Sequence, residues 1–349
     1  MKNYKVFHGL VNYGTQAGIF SSELRNLGKK SFSLVNPDRY KRKCDLELLH
    51  GGGFFIKLFK HSLNNVYKLY CFFKFDIFHF YYGKTFFPYN FDLYFYRFLG
   101  KKVVMEYLGN DIQLYGISTA KYKWTNMSFI MTKSEGNSYD LKISKRLKSE
   151  NKFCDIQLVC APIYLEFAPK AKLIPLAINL DEYELNQVDF DIKDKLIVLH
   201  APTDRNFKGT NFILDVINEL IDDGYNIELR LIENLNHSQL MSEYKQCHVF
   251  IDQILAGWYG TAAIEAMALS KPVVAFLREN YLDSVEYGLT IPIINANPDN
   301  FKEVFLREVI LKKQDLKDIG INSRLFVEKV HCSKKVTQKL IELYNQIYL

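Results

Sequence analysis

KLIVLHAPTDRNFKG, Lys195 to Gly209, and HVFIDQILAGWYGTAAIEAMALSKPVV, His248 to Val274, are the two pieces of sequence that decide the fold. LIVLH is an apolar run of strand length, stopped by Ala-Pro. A basic loop with Arg205 and Lys208 follows and ends at Gly209. Phe212, Ile213, Val216, Ile217 and Leu220 then recur at helical spacing up to Gly224. IELRLI reads as a strand, SQLMSEYKQC as an amphipathic helix, and HVFID as the next strand. A glycine turn, Gly257 to Gly260, opens a helix from about Thr261 that carries Glu265. Strands alternating with helices predict an α/β fold with a parallel sheet. Ligands of such sheets sit beyond the carboxyl ends of the strands, where the basic loop and the glycine turn both fall.

That edge has the chemistry of an anion site. A glycine turn at a helix N-terminus presents backbone N–H groups to a phosphate. Arg205 and Lys208 can neutralise phosphates from a neighbouring loop. Glu265, one turn inside the helix, stays ionised near the positive end of the dipole and can accept hydrogen bonds from sugar hydroxyls. Singly, the two cations also read as solvated loop charges and Glu265 as a capping device. Together they predict a sugar nucleotide, with diphosphate on amides and cations and ribose on Glu265.

RNFKG and GWYGTAAIEAMALSKPVV resemble the donor-binding half of the retaining glycosyltransferases of family GT4, which have the GT-B fold. The second stretch is similar to that family's EGFGxxxxEAMAxGxPVV, with Gly257 where the family has its first glutamate. Asp252 at a strand end is the candidate substitute, its plainer reading being a turn residue. The two cations, three residues apart, are closer than the family's pair. The resemblance implies two Rossmann-like domains facing each other across a cleft. It also implies a last helix that crosses back to the first domain. The boundaries follow: 1–178 for the acceptor, 179–332 for the nucleotide sugar, 333–349 for the returning helix. It implies donor contacts from Gly18, Arg205, Lys208, Asn234, Asp252, Gly257, Tyr259, Gly260, Thr261 and Glu265, with Arg205, Lys208 and Glu265 as the catalytic set. Acceptor contacts are implied for Asn12, Tyr13, Gly14, Gly109 and Asp111. No cofactor and no metal is expected, since the cations and the amides near Gly260 and Thr261 stabilise the diphosphate.

The first half repeats the α/β logic. YKVFH is a strand, GLVNYGTQAG a glycine-rich loop, and Phe20, Leu24 and Leu27 share one face of a helix that Gly28 ends. Gly51 to Gly53 precede a helix from about Phe54 to Phe73. His79 alternates with apolar residues in a strand, as a core residue or a catalyst. KKVVMEYLGNDIQ is similar to a family segment ending in HGSD: Gly109 and Asp111 match, and Leu108 stands in place of the histidine. Asp111 reads equally as an acceptor ligand and as a turn cap. Ala177 to Asp194 is polar and acidic and is the candidate linker.

Composition bounds the rest. The 349 residues suffice for two domains, and 48% hydrophobic with 24% charged residues is a globular balance. MKNYKVFHGL lacks a signal-peptide core, and no run of about 18 apolar residues occurs. Six scattered cysteines suggest free thiols, hence a cytoplasmic setting. Between Met1 and Met105, 17 Lys and Arg face 6 Asp and Glu, and this region is crowded with Phe and Tyr. It reads either as an aromatic core under a solvated basic face or as contact with an anionic membrane surface, which would place the protein on the inner face of the membrane. No nucleic-acid motif accompanies it.

The expected function is transfer of a sugar from a UDP- or GDP-sugar to a hydroxyl of a glycan or lipid-linked acceptor, with retention, in surface-polysaccharide assembly. Gly257 and Leu108 keep a catalytically silent GT-B subunit as an alternative, and a GT-B-fold sugar-nucleotide epimerase would share the donor site.

Overall fold

Short apolar runs rich in Val, Ile and Phe build two parallel sheets in a computed structural model that describes residues 3–38, 40–184, 192, 195–234, 237–285 and 287–348. The first sheet contains β1 Lys5–Leu10, β2 Lys30–Val35, β3 Leu46–Glu47, β4 Ile77–Tyr81, β5 Lys102–Tyr107, β6 Ile156–Val159 and β7 Lys172–Leu173, in the order β3-β2-β1-β4-β5-β6-β7. The second contains β8 Leu196–His200, β9 Ile227–Leu231, β10 Val249–Ile251, β11 Val273–Ala275 and β12 Ile293–Asn295, in the order β12-β11-β10-β8-β9. Every strand pair is parallel. These are the two doubly-wound strand orders, and each reverses direction once: between β1 and β4, and between β8 and β10. A crevice forms beyond the carboxyl ends at such a reversal. Topology thus singles out the loops after β1 and β4 and those after β8 and β10.

The helices that link the strands are α1 Gln16–Asn26, α2 Phe54–Lys74, α3 Leu93–Phe98, α4 Tyr115–Lys121, α5 Met127–Ile130, α6 Lys133–Phe153, α7 Arg205–Lys208, α8 Thr210–Asp222, α9 His237–Gln246, α10 Thr261–Ala268, α11 Phe301–Val304, α12 Leu316–Val330 and α13 Ser333–Ile347. α11 continues through a π-helical stretch, Phe305–Ile310.

Contacts divide the chain into two units, Met1–Leu114 with Tyr139–Ile178 and Ser333–Leu349, and Tyr115–Ser138 with Asn179–Cys332. The grouping departs from the sequence expectation for residues 115–138, which it assigns to the second unit. The cause is local chemistry. Trp124 and Phe129 set their rings edge-on to Phe212 of α8, at 5.3 and 5.7 Å. Arg278 donates to the Trp124 carbonyl at 3.1 Å and lies 3.9 Å from the Tyr122 ring. Half of the candidate linker, residues 185–191 and 193–194, lies outside the described residues.

The first unit has an aromatic core. Phe7, Phe78, Phe80, Phe86 and Tyr96 are buried and meet ring to ring at 4.6–6.3 Å. α13 packs on α1, and its Tyr344 hydroxyl is 2.7 Å from His79 Nδ1. His79 is fully buried, with Nε2 3.0 Å from Glu106 Oε2. Burial lowers the His79 pKa to about 3 and raises that of Glu106 to about 8, so near pH 7 both side chains are largely uncharged. His79 is a core residue. The second unit packs Ile213, Ile217 and Leu220 of α8 beneath Leu196, Val198 and Val249.

Candidate functional site

The edge beyond β8, β9 and β10 gathers the charged residues that the sequence singled out. β8 leads into Asp204, whose carboxylate accepts the Phe207 N–H at 2.9 Å and starts α7. The expected basic loop is therefore a helical turn, ended by Gly209 in the left-handed region at φ 79°. Arg205 and Lys208, three residues apart on that turn, share a face.

Both cations already have carboxylate partners. Arg205 donates Nε–H and an Nη2–H to Glu233, at 3.0 and 2.6 Å, from the loop after β9. Each raises or lowers the other toward its charged form: Arg205 is shifted up and Glu233 down by their mutual hydrogen bonds. Lys208 is buried, and its Nζ lies 2.5 Å from Asp252 Oδ1 just past β10. The other Asp252 oxygen accepts the Gly260 N–H at 2.9 Å.

This arrangement gives several of the predicted site residues partners within the fold. Asp252 is buried with both oxygens engaged, and so holds Lys208 and the glycine turn together. The Gly260 amide serves Asp252 rather than standing open to a phosphate. Tyr259 turns inward: its ring stacks on Trp258 at 5.3 Å and its hydroxyl meets His331 Nε2 at 3.0 Å. Gly257 has φ +83°, and a Cβ there would lie 2.4 Å from the Arg278 guanidinium. That buried guanidinium, bonded to the Ala256 carbonyl at 3.1 Å, fills the space a side chain at 257 would need.

Glu265 and Thr261 remain at the mouth of α10. Glu265 lies one turn in, 3.3 Å from His237 Nε2, and its carboxylate also meets the Tyr183 hydroxyl. Thr261 Oγ1 is buried with no hydrogen-bond partner among the described residues. Asn234 follows Glu233 with a left-handed backbone, φ 60°. His200 ends β8 with its ring nitrogens 2.8 Å from the Ile251 carbonyl and 2.9 Å from Thr210 Oγ1, and burial lowers its pKa to about 4. Glu233, His237 and Tyr183 were not legible as site residues. The position of Glu233 directly after an apolar strand was the available signal.

In the first unit, the loop after β1 is built by Asn12. Its amide donates to the Lys43 carbonyl at 3.0 Å and its oxygen accepts from Gly18 N–H at 3.3 Å. A Cβ on Gly18 would lie 1.9 Å from the Lys43 carbonyl oxygen, so close packing inside its own unit requires this glycine. Asn12 is likewise buried, with its side-chain amide engaged within this loop. Tyr13 is exposed and stacks on Tyr82 at 6.2 Å, beside Gly14 at φ 51°. Tyr82 follows β4, so these two rings stand at the strand-order reversal. Asp111 is buried; Oδ1 accepts the N–H groups of Leu108 and Gly109 at 3.1 and 2.8 Å. Burial raises its pKa to about 7 against the opposing pull of Arg146. This is the turn-cap reading of Asp111, with Gly109 inside the turn. Among the described residues, no group of three His, Cys, Asp or Glu is placed to hold a metal.

The fold has counterparts among solved structures. No family model matches the chain. An uncharacterized glycosyltransferase of Methanocaldococcus jannaschii is 28% identical over 201 residues, covering 46% of this chain and 56% of that protein. The match thus spans little more than half of the relative's length. Sucrose-phosphate synthase from Thermosynechococcus elongatus superposes with a TM-score of 0.65 at 15% identity, covering 99% of both chains. Anabaena HepE in complex with UDP and glucose gives 0.63 at 11%, covering 99% of this chain and 100% of that one. The catalytic domain of starch synthase IV from Arabidopsis thaliana, bound to ADP and acarbose, gives 0.61 at 12%, covering 99% of each. The chain has the α/β architecture with two parallel sheets of GT-B structures.

Proposed function

We propose that this protein is a glycosyltransferase that moves a sugar from a UDP- or GDP-sugar to a hydroxyl of a glycan or a lipid-linked oligosaccharide, with retention, in surface-polysaccharide assembly. The observation that carries the reading is the convergence of Arg205, Lys208 and Glu265, with the N-terminal turn of α10, on one sheet edge where the strand order reverses. The similarity to a curated glycosyltransferase and to nucleotide-bound GT-B structures supports it.

In this reading residues 179–332 bind the donor and 1–178 the acceptor. The diphosphate replaces Glu233 and Asp252 as the partner of Arg205 and Lys208. Glu265 accepts from sugar hydroxyls, and Thr261 Oγ1 donates to a phosphate oxygen. As the bond from the donor's anomeric carbon to the diphosphate breaks, negative charge grows on the leaving oxygen, and the two cations stabilise it. The acceptor oxygen bonds to that carbon on the same face while its proton passes to the departing phosphate. Exclusion of water protects the donor from hydrolysis. The cations do the work of a metal, so turnover persists in EDTA. The setting is cytoplasmic, with the basic aromatic first half against the inner membrane face.

The pairing of both cations with carboxylates, together with Gly257, favours a second reading, a silent GT-B subunit that partners another enzyme. Thermal stabilisation by a panel of nucleotides and nucleotide sugars separates the two. A shift selective for one base, lost in Arg205→Ala, is the expected result. A flat response across the panel leaves the silent subunit.

A further inference from the structure

α2 is an amphipathic helix mounted the wrong way round for a water-soluble surface. At 3.6 residues per turn, Phe55, Leu58, Phe59, Val66, Leu69 and Phe73 share an arc of about 100°. All six are exposed, from 57% to 82%. The opposite arc, with Lys60, Asn64, Lys68 and Cys71, faces the protein. Lys60 Nζ donates to the His50 carbonyl at 2.7 Å, Asn64 exchanges two hydrogen bonds with the Leu49 backbone at 2.9 Å, and Lys68 donates to the Phe86 carbonyl at 3.2 Å. Cys71 is the one fully buried residue of the helix. With 21 residues, the outward stripe runs about 30 Å.

Charge names the occupant. α2 carries four lysines and no acid. Between Phe54 and Lys102 there are 8 Lys and Arg against Asp76 and Asp92, and Asp92 is buried. At its first turns a small cleft of about 160 Å³ is lined by His50, Lys57, Lys60, His61 and Asn64, again without a carboxylate. The segment tied to it by Phe72–Tyr96 packing at 5.0 Å exposes Tyr94, Phe95 and Phe98 beside Arg97. A second copy of this chain would bring like charges together across the stripe. An anionic lipid surface offers acyl chains to the apolar residues and phosphates to the cations. No helix of the described residues is long and apolar enough to span a bilayer, so insertion would be in the plane of the surface.

We infer that α2 is an in-plane docking helix for an anionic bilayer, its outward stripe seated among the acyl chains and the Lys57–Lys60–His61 cleft taking a lipid phosphate. This specifies the membrane contact of the preceding reading and does not depend on the donor site.

The test is co-sedimentation of the full chain with vesicles of phosphatidylglycerol and phosphatidylcholine, and of phosphatidylcholine alone. Binding to the anionic vesicles, weakened by salt and reduced at least tenfold by Phe55→Ser/Phe59→Ser/Phe73→Ser, is expected. The three positions are exposed, so the variant keeps its melting temperature and its response to nucleotide, which is measured in parallel. Failure to sediment with either vesicle, equal binding to both, or binding unaltered in the triple variant overturns the assignment. A dimer in solution that the triple variant dissociates, without vesicle binding, assigns the stripe to a second copy instead.

Discussion

Lys208 Nζ lies 2.5 Å from Asp252 Oδ1, and the two buried side chains tie the turn after β8 to the loop after β10. The same carboxylate holds the Gly260 amide. One aspartate thus fixes both halves of the candidate donor edge.

Breaking a buried pair from one side leaves the other charge without compensation, at about 3–5 kcal/mol. Asp252→Ala is expected to lower unfolding stability by that order in a urea titration. Lys208→Met/Asp252→Leu, which removes both charges, should recover most of the loss. Equal damage from the single and double variants would show that the pair is not what stabilises these loops.

Restoring a glutamate at 257 should harm the protein. The left-handed backbone there costs a side chain about 1–2 kcal/mol, and the Arg278 guanidinium stands where the Cβ would go. Gly257→Glu is expected to lower the melting temperature and to add no transfer activity. A variant as stable as the parent would mean that Arg278 moves aside freely.

Glu265→Gln keeps the shape of the side chain and removes its charge. A hydrogen bond to a charged group is worth about 1.5–3 kcal/mol, so nucleotide-sugar affinity should fall about tenfold to a hundredfold. The unfolding midpoint should stay close to that of the parent. Titration calorimetry checks the first and circular dichroism the second; unchanged affinity would remove Glu265 from the donor site.

Asp111 gives a pH signature. Its native pKa is raised to about 7, against about 3.9 for an unfolded aspartate. Between those values the native state binds more protons, so its stabilising share is complete at low pH and fades as pH rises to 7. Asp111→Asn keeps an oxygen for the Leu108 and Gly109 amides without that ionisation. The variant should gain about 2–4 kcal/mol relative to the parent between pH 4 and 8, read from denaturation midpoints across pH. A constant difference across that range would contradict the burial argument.

What the sequence made legible was local. LIVLH, IELRLI and HVFID announced β8 to β10 by apolar runs, and the spacing of Phe212 to Leu220 announced α8. Arg205 and Lys208 were found because they lie on the loop after a strand, and Glu265 because it lies one turn inside the helix that a glycine turn opens. The pairings were not: Asp252 was named only at a strand end, and because Glu233 is 28 residues from Arg205 and Asp252 is 44 from Lys208, only the fold brings each pair together. Gly18 and Gly257 looked like ligand-approach glycines, since a sequence does not show that the Lys43 carbonyl or the Arg278 guanidinium fills the space above them. Residues 115–138, which run into the first turns of α6, group with the second unit, a choice made by Trp124 and Phe129 against Phe212. For α2, periodicity shows that the helix has two faces, and only the hydrogen bonds of Lys60, Asn64 and Lys68 show which one looks outward.

Those three anchors also govern how the protein behaves as a colloid. A helix pinned by its polar side cannot roll over to hide its aromatic side, so the greasy strip is a permanent property of the particle at any concentration. Clumping during handling would then reflect contact between intact molecules. Mild detergent should disperse such clumps, whereas conditions chosen to strengthen the fold would leave them in place.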